Sequence, residues 1–257
     1  MQKIHPTAIV SPAAVIGEGT EIGPYCIVGD GVIIGEDCWL QHHVTIMGPT
    51  TIGNGNKFFS YACIGQRSQD LKYAGEPTYL QIGDGNSFRE FSTVHRATGA
   101  GNTTRVGSHG NFLSYSHIAH DCVVGDHVIF SNNGTIAGHV EVGDYANIGG
   151  LTAVHQFCRI GKHAIIGGCS KIVQDVPPFF IADGNPAEVR GVNNIGLERR
   201  GFQPEALKTL KEAYRFLYRS NLNVRQAVDD LESRFGEMPE IRDLASFINK
   251  SARGIIR

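Results

Sequence analysis

The sequence predicts a parallel β-helix followed by a small α-helical domain, and three observations on the 257-residue chain support this prediction. First, an aliphatic residue or Phe stands at nearly every sixth position from Ile4 to Ile172; of the 29 positions of this core register, 26 obey. A period of six fits neither a helix nor a flat strand and is typical of hexapeptide repeats. Second, the register keeps its phase through its exceptions, Asp70, Glu76 and Ala100. Third, the tail of the chain changes to helical spacing.

Each repeat contains a large and a small side chain, which together fill a narrow prism. Gly often follows the core register and tolerates the tight turn of a corner. The small residues stand two positions before the core register: Ala14, Thr20, Cys26, Cys38, Ala62, Ser92, Ser116, Cys122, Ala146, Thr152, Cys158, Ala164, Ser170. Four of the six Cys are in this set, so we expect buried, reduced thiols rather than disulfides.

The predicted β-helix domain spans residues 1–190 and the helical domain residues 191–257. Two polar segments, at about residues 66–79 and 96–104, interrupt the repeats and are predicted to be loops that leave the coil. Loops on a rigid scaffold commonly carry function. In the tail we expect three amphipathic helices that cover one end of the β-helix. The first begins at Pro204, the second runs from about Val224 to Phe235 and is ended by Gly236, and the third begins near Pro239.

Composition excludes several classes of protein. The formal net charge of −2 offers no overall attraction for nucleic acid. No apolar run approaches the 18 residues of a membrane span, and no signal-peptide core stands at the start, so we expect a cytoplasmic protein without an integral membrane segment.

Histidines near the middle of the chain form the strongest candidate site. Residues 18 apart stack in adjacent coils, ~4.8 Å apart as neighbouring strands are. This spacing places Gly138 over His120 and His139 over Asp121, with His155 and Gln156 one coil further. Imidazole suits a general base near neutral pH, and a Gly lets a backbone N–H approach and stabilise an oxyanion.

The same histidines could instead bind zinc. The trimeric γ-class carbonic anhydrases do so on a similar scaffold, with two ligands spaced His-x4-His. The close pair in this chain is His117-x2-His120, which disfavours a metal site.

Longer motifs resemble a particular family. They are QDLKYAGEPT (69–78), VHR (94–96), HIAHDC (117–122), NNGTIAGHV (132–140), IGGLTAVHQF (148–157), GGCS (167–170), QDVPPF (174–179) and RRGF (199–202). Together they are similar to the UDP-N-acetylglucosamine 3-O-acyltransferases of lipid A biosynthesis, which are hexapeptide-repeat acyltransferases. The resemblance implies an all-β left-handed parallel β-helix with 18-residue triangular coils, a homotrimer with sites between subunits, and no metal or organic cofactor.

The resemblance also implies roles for individual residues. His120 matches the general base, Asp121 a residue that orients it, and Gly138 the backbone donor to the oxyanion. The positions that match substrate-binding residues are Asp70, Lys72, His95, His117, His139, His155, Gln156, Gly168, Asn193, Arg199 and Arg200. Arg199 and Arg200 could bind phosphate or simply form a solvated charge pair.

The expected reaction moves an (R)-3-hydroxyacyl chain from acyl carrier protein to the 3-OH of UDP-N-acetylglucosamine. Six basic residues against two acidic ones in residues 199–219 could attract the acidic carrier protein or form a solvated helix face. Gly168 matches the end of the acyl groove. A chain running along the coils from His120 would reach it after roughly 10 carbons, so we expect acyl chains of about 12–14 carbons.

Three alternatives remain open from the sequence. A related N-acyltransferase family carries a further domain ahead of its β-helix, whereas this chain begins to repeat at Ile4. A zinc hydro-lyase would be revealed by metal analysis. A non-enzymatic scaffold would turn over no acyl donor.

Overall fold

The computed structural model, which describes residues 3–257, confirms the left-handed parallel β-helix and the helical tail. Three sheets of short strands form the three sides of the coil. Sheet 1 contains β1 Lys3–Ile4, β4 Glu21–Ile22, β7 Trp39–Leu40, β10 Lys57–Phe58, β13 Ser87–Phe88, β16 Asn111–Phe112, β19 Ile129–Phe130, β22 Asn147–Ile148, β25 Ile165–Ile166, β27 Phe180–Gly184 and β28 Ala187–Val192. Sheet 2 contains β2 Ile9–Val10, β5 Ile27–Val28, β8 Thr45–Ile46, β11 Cys63–Gln66, β14 Thr93–His95, β17 His117–Ile118, β20 Thr135–Ile136, β23 Ala153–Val154 and β26 Lys171–Ile172. Sheet 3 contains β3 Val15–Ile16, β6 Val32–Ile34, β9 Thr50–Ile52, β12 Tyr79–Ile82, β15 Thr103–Val106, β18 Val123–Val124, β21 Glu141–Val142 and β24 Arg159–Ile160.

The strand pairing shows why the repeat never loses its phase. A regular coil pairs each residue with the one 18 positions on, as Glu21 does with Trp39. Ile52 pairs with Ile82, which is 30 positions on, and Ile82 pairs with Val106, which is 24 positions on. The two irregular coils therefore contain 12 and 6 extra residues, and both numbers are multiples of six.

The extra residues form the two predicted loops. The first loop is residues 67–78, between β11 and β12, and the second loop is residues 96–102, between β14 and β15. The second loop ends earlier than expected, because Thr103 and Thr104 already pair in β15.

The core register fills the interior of the prism. Phe58, Phe88 and Phe112 are fully buried, and their rings stack at centroid distances of 5.2 and 4.7 Å. Burial of such a side chain stabilises the fold by roughly 1.5–3 kcal/mol. The six Cys are free thiols, and Cys26, Cys38, Cys122 and Cys158 are buried at the small position as predicted.

At many corners of the prism, the third residue after the core register has a positive φ. This left-handed backbone points successive side chains outward in a column along each edge. Corner 1 follows sheet 1 and carries Tyr25, His43, Tyr61, Phe91, Tyr115. Corner 2 follows sheet 2 and carries Asp121, His139, Phe157. Corner 3 follows sheet 3 and carries His109, His127, Tyr145, His163.

Beyond the coils, the three predicted helices are present as α2 Pro204–Tyr218, α3 Val224–Phe235 and α4 Pro239–Asn249. Pro204 and Pro239 begin their helices, and Gly236 is the C-cap of α3. The antiparallel hairpin of β27 and β28 and the short helix α1 Asn194–Arg199 were not predicted.

The end of the chain is fastened to the last coil by a buried carboxylate. Asp175 is 1% exposed; its Oδ1 accepts the Arg159 N–H at 2.8 Å and its Oδ2 accepts the Ser251 hydroxyl at 2.6 Å. The backbone of Asp175 also pairs with Gly254 and Ile256. These contacts fix the helical tail over the end of the prism. Among residues 3–257, no helix is long and apolar enough to cross a membrane.

Candidate active site

His120 lies at corner 2, just after β17, and is paired with the adjacent carboxylate. Its Nδ1 is 2.8 Å from Oδ2 of Asp121. Because a carboxylate accepts and does not donate, this contact assigns the ring proton to Nδ1. The other ring nitrogen, Nε2, is then an acceptor, which is the state that a general base requires.

The predicted stacking of corner 2 is confirmed. The His139 N–H donates to the carbonyl of His120 at 3.0 Å, and the two rings meet edge to face at 5.3 Å. Nε2 of His139 is 3.8 Å from Oδ2 of Asp121, and its ring stacks on Phe157 at 4.6 Å. The aromatic neighbour therefore fixes the plane of His139 beside the pair of His120 and Asp121.

Gly138 packs against the His120 ring with no room for a side chain. A Cβ at this position would lie 2.4 Å from Cε1 of His120, well inside van der Waals contact. The N–H of Gly138 donates to no acceptor in residues 3–257. A free backbone donor beside an imidazole is one element of an oxyanion site.

The first loop brings Asp70 to the other side of His120. Its Oδ2 is 3.9 Å from Nε2 of His120, and 26% of the Asp70 side chain is exposed against 13% for His120. Oδ1 of Asp70 accepts the N–H of Lys72 at 2.9 Å, which fixes the carboxylate in the loop, while the Lys72 side chain is exposed. Two acceptors at this separation suit two neighbouring hydroxyl groups of a ligand.

Two further histidines, His95 and His117, lie near His120. His95 is buried and meets His117 edge to face at 5.0 Å, and Nδ1 of His117 is 2.7 Å from the Thr93 hydroxyl. Burial, reinforced by His117 and His120, lowers the pKa of His95 to about 4. Burial and then His120 also lower the pKa of His117. Both rings are therefore neutral hydrogen-bonding groups at pH 7.

A cavity of about 590 Å³ opens between the first loop and this cluster. Its lining includes Gln66, Ser68, Gln69, Asp70, Tyr73 and His95. The lining is mostly polar, as expected for a sugar or a phosphorylated ligand rather than a purely apolar one.

Other predicted site residues lie elsewhere in the chain. His155 and Gln156 are exposed one coil beyond His139. Asn193 is the buried N-cap of α1; its Oδ1 accepts the Gly196 N–H, and its Nδ2 donates to the carbonyl of His163.

The two predicted phosphate-binding arginines lie at the end of α1. Arg199 is the last residue of this helix and is exposed. The guanidinium of Arg200 lies over the Tyr145 ring of corner 3, 4.0 Å from its centroid.

The position of Gly168 requires a correction. The interval from His120 to Gly168 is 48 residues, or 2.7 coils, and a fraction of a coil means a different corner. Gly168 stands at corner 1, where the next residue, Cys169, pairs with Gly150. The predicted path along the coils from His120 to Gly168 therefore does not follow one corner of the prism, because Gly168 of the same chain stands at another corner.

One group of side chains has the donor atoms of a metal site. Ring nitrogens of His120 and His139 and a carboxylate oxygen of Asp121 all lie within 4.8 Å of one another. Two imidazoles and a carboxylate are ligands that Zn²⁺ accepts. The hydrogen bond between His120 and Asp121 accounts for the close approach of these two side chains without a metal.

Sequence reasoning missed the residues that hold the two loops around the site. Thr98 and Asn102 of the second loop contact Asp121, and Glu76 of the first loop accepts the N–H of Gly99. Glu76 was visible as an exception in the core register, but its partners were not, because a loop has no period.

Comparisons with known proteins match this fold and much of this sequence. A sequence model of the family described as Udp N-acetylglucosamine O-acyltransferase, domain 2, matches residues 175–256. The structure of the UDP-N-acetylglucosamine acyltransferase of Francisella novicida is 39% identical, with a TM-score of 0.96, over 99% of this chain and 94% of that one. LpxA of Acinetobacter baumannii is 44% identical with a TM-score of 0.96, and the UDP-N-acetylglucosamine O-acyltransferase of Moraxella catarrhalis is 45% identical with a TM-score of 0.95. Each of these two comparisons covers 99% of both chains.

These matches, together with the left-handed β-helix, place the chain among the acyltransferases of the hexapeptide-repeat class. Within that class, the chain belongs to the UDP-N-acetylglucosamine O-acyltransferase family. The predicted family and enzyme class are thus confirmed.

Proposed function

We propose that this protein transfers an (R)-3-hydroxyacyl chain from acyl carrier protein to the 3-hydroxyl of UDP-N-acetylglucosamine, with His120 as the general base. The observation that carries this proposal is the geometry of His120. Its Nδ1 is engaged by Asp121 at 2.8 Å, so Nε2 is left to accept a proton, 3.9 Å from Oδ2 of Asp70, which lines the cavity.

The chemistry follows from these positions. Nε2 of His120 accepts the proton of the sugar hydroxyl as the oxygen attacks the thioester carbonyl, and Asp121 stabilises the imidazolium that forms. The free N–H of Gly138 donates to the carbonyl oxygen as negative charge develops there. The intermediate then releases the thiol of the carrier, which recovers the proton from His120, and the acyl chain remains as an ester on the sugar. Asp70 accepts a hydrogen bond from a neighbouring group of the sugar.

A groove on the helical tail supports a carrier-protein donor. It encloses about 550 Å³ beside α2 and is lined by Phe202, Leu207, Lys208, Lys211 and Arg215, together with two acidic residues. A partly basic surface with an apolar floor suits an acidic helical partner. The groove also includes Glu198 of α1, next in the chain to Arg199 and Arg200, so both substrates approach from the tail in this proposal.

Two observations support a homotrimer in which neighbouring chains complete each site. The corner 1 column is unusually apolar for a surface: Tyr25 is 59% exposed and Tyr115 is 55% exposed, and the rings from Tyr25 to Tyr115 stack at about 5 Å. Exposed apolar ladders of this kind mark interfaces. In addition, the proposed nucleotide-binding arginines Arg199 and Arg200 lie in the tail and the proposed acyl-groove residue Gly168 lies at corner 1, so a second copy of the chain would bring them to His120 at corner 2.

The direct test is turnover of UDP-N-acetylglucosamine with a series of 3-hydroxyacyl carrier proteins, read by mass spectrometry. The product should carry one ester-linked acyl chain, and the sugar analogue with a 3-amine distinguishes an ester from an amide product. His120→Ala should lose roughly 10²–10⁴-fold in rate while remaining folded. A folded His120→Ala enzyme with more than a tenth of the wild-type rate would exclude His120 as the base.

The metal-binding geometry of His120, Asp121 and His139 favours one alternative, a zinc hydro-lyase. Metal analysis of the purified protein and assays after chelation separate the two functions. Acyl transfer should be unchanged by chelation, whereas a hydro-lyase would lose its activity and recover it with Zn²⁺.

A further inference from the structure

The second loop is attached to the first loop along most of its length. The Gly99 N–H donates to Oε1 of Glu76 at 3.1 Å, and the Gly101 N–H donates to the carbonyl of Pro77 at 2.9 Å. The hydroxyls of Ser68 and Thr98 also form a short hydrogen bond. The second oxygen of Glu76 accepts the N–H of Ala74 within the first loop. Glu76 therefore joins the two loops through one carboxylate.

The opposite side of the second loop holds Asp121. The Thr98 N–H donates to Oδ2 of Asp121 at 2.9 Å, and Nδ2 of Asn102 donates both to Oδ1 of Asp121 at 3.2 Å and to the carbonyl of Thr98 at 2.8 Å. The Asp121 N–H donates to the Thr104 hydroxyl at 2.8 Å. Oδ2 of Asp121 is the atom that also accepts from Nδ1 of His120.

We propose that the second loop is the positioning element of the active site and that two residues act as positioning residues, Asn102 within this loop and Glu76 of the first loop, which is bonded to it. This rests on the proposed role of His120. Asn102 acts through Asp121 and fixes the carboxylate that orients the imidazole. Glu76 acts through the first loop, which carries Asp70 to the other side of the same ring.

The two residues should affect different steps of the reaction. Loss of Asn102 frees Oδ1 of Asp121, so the carboxylate can rotate and His120 loses its fixed orientation. Misplacement of a reacting group by about 1 Å can cost up to 10²-fold in rate. Loss of the Glu76 bridge frees the first loop, so Asp70 no longer lies at a fixed distance from Nε2 of His120. Binding of the sugar nucleotide should therefore weaken more than the rate of the chemical step falls.

The first experiment compares Asn102→Ala and Asn102→Asp with the matched control Asn221→Ala, an exposed Asn between α2 and α3. Asn102→Ala should lower kcat roughly 10- to 100-fold with little change in KM. Asn102→Asp keeps the size of the side chain but adds a negative charge near His120, which favours the protonated imidazole. The acidic limb of its pH–rate profile should therefore move to higher pH, which a purely structural role would not cause.

The second experiment uses Glu76→Gln, which keeps the shape but weakens the two contacts with backbone N–H groups. It should raise KM for the sugar nucleotide more than it lowers kcat, and Glu76→Asp should recover part of the loss. Thermal unfolding confirms that each variant is folded, and Asn102→Ser replaces Asn102→Ala if the latter does not fold.

The outcomes separate this proposal from the one on which it rests. A near-normal rate in His120→Ala would overturn the general base itself. Inactive His120→Ala together with wild-type kcat and pH profile in folded Asn102→Ala and Asn102→Asp would overturn the positioning role alone. Equal effects of Glu76→Gln on kcat and KM would remove Glu76 from the proposal.

Discussion

At the residue scale, the backbone of Gly138 leaves no room for a side chain beside the imidazole of His120. Gly138→Ala would place a Cβ within 2.4 Å of Cε1 of His120, so the ring must move away. We expect a loss of roughly 10²-fold in kcat with a folded protein, since the displaced ring no longer meets the hydroxyl. Gly150→Ala, at the same turn position of corner 1, is the control; its nearest atom would be 3.2 Å away, and its rate should stay near that of the wild type.

Asp70 is partly exposed and lies close to His120, so the two side chains can contact the same ligand. Asp70→Ala should raise KM for UDP-N-acetylglucosamine roughly tenfold, because one charge-assisted hydrogen bond contributes about 1.5–3 kcal/mol. Unfolding temperature should not change, since the carboxylate supports little beyond the N–H of Lys72. Asp229→Ala on α3 is the matched control. A sharp drop in unfolding temperature with unchanged kinetics would instead make Asp70 a structural residue of the loop.

At the element scale, the corner 3 column contains a buried histidine in a mostly aromatic stack. The ring of His163 stacks on Tyr145 at 4.9 Å and lies near Phe179 and Phe202. Burial, and then Arg200 and Lys162, lower the pKa of His163 to about 4. The unfolded chain therefore binds more protons than the folded one between about pH 6.5 and 4. The free energy of unfolding must fall as the pH drops through this window.

His163→Phe should reduce this loss of stability in acid. Phe suits the left-handed backbone here, since Phe91 and Phe157 occupy the same turn position in other coils. The measurement is the difference in unfolding temperature between pH 7 and pH 5, which should be smaller in His163→Phe than in the wild type. His109→Phe, at the exposed end of the same column, should leave the difference unchanged. An equal difference in wild type and His163→Phe would show that other groups govern the acid response.

The elements that could be predicted are those with a period. The core register predicted the strands, and multiples of 18 correctly placed Gly138 and His139 beside His120. The same arithmetic failed for Gly168, because 48 is not a multiple of 18 and the residue stands at another corner. Helix α1 was missed because Asn194 and Gly196 are poor helix formers, and the Asn193 cap that starts it depends on the hairpin before it. The loop contacts of Asp121 were missed because nothing in local sequence specifies which loop meets which carboxylate.

At the scale of the whole molecule, one chain holds the proposed base but not the whole proposed site. His120 is at corner 2, near the middle of the prism, whereas Arg200 lies against corner 3 beside Tyr145, at the end that the tail covers. The proposed cyclic trimer would remove this separation, because each cleft between two chains would then take His120 from one chain and Arg200 from its neighbour. The exposed aromatic column of corner 1 provides an apolar surface for such an assembly.

Mixed trimers test this arrangement directly. His120→Ala and Arg200→Ala should each be nearly inactive as pure trimers. If the two variants are mixed in equal amounts, unfolded and refolded together, a cleft is intact when its histidine comes from one variant and its arginine from the other. Random assembly makes this true for about a quarter of the clefts, so activity should return to about a quarter of the wild-type value. The control mixes His120→Ala with Gly138→Ala. If His120 and Gly138 act in the same cleft from the same chain, every cleft lacks one of them, and this mixture should recover no activity. The first mixture could also recover no activity although light scattering confirms trimers. That result would show that His120 and Arg200 of neighbouring chains do not act in one cleft.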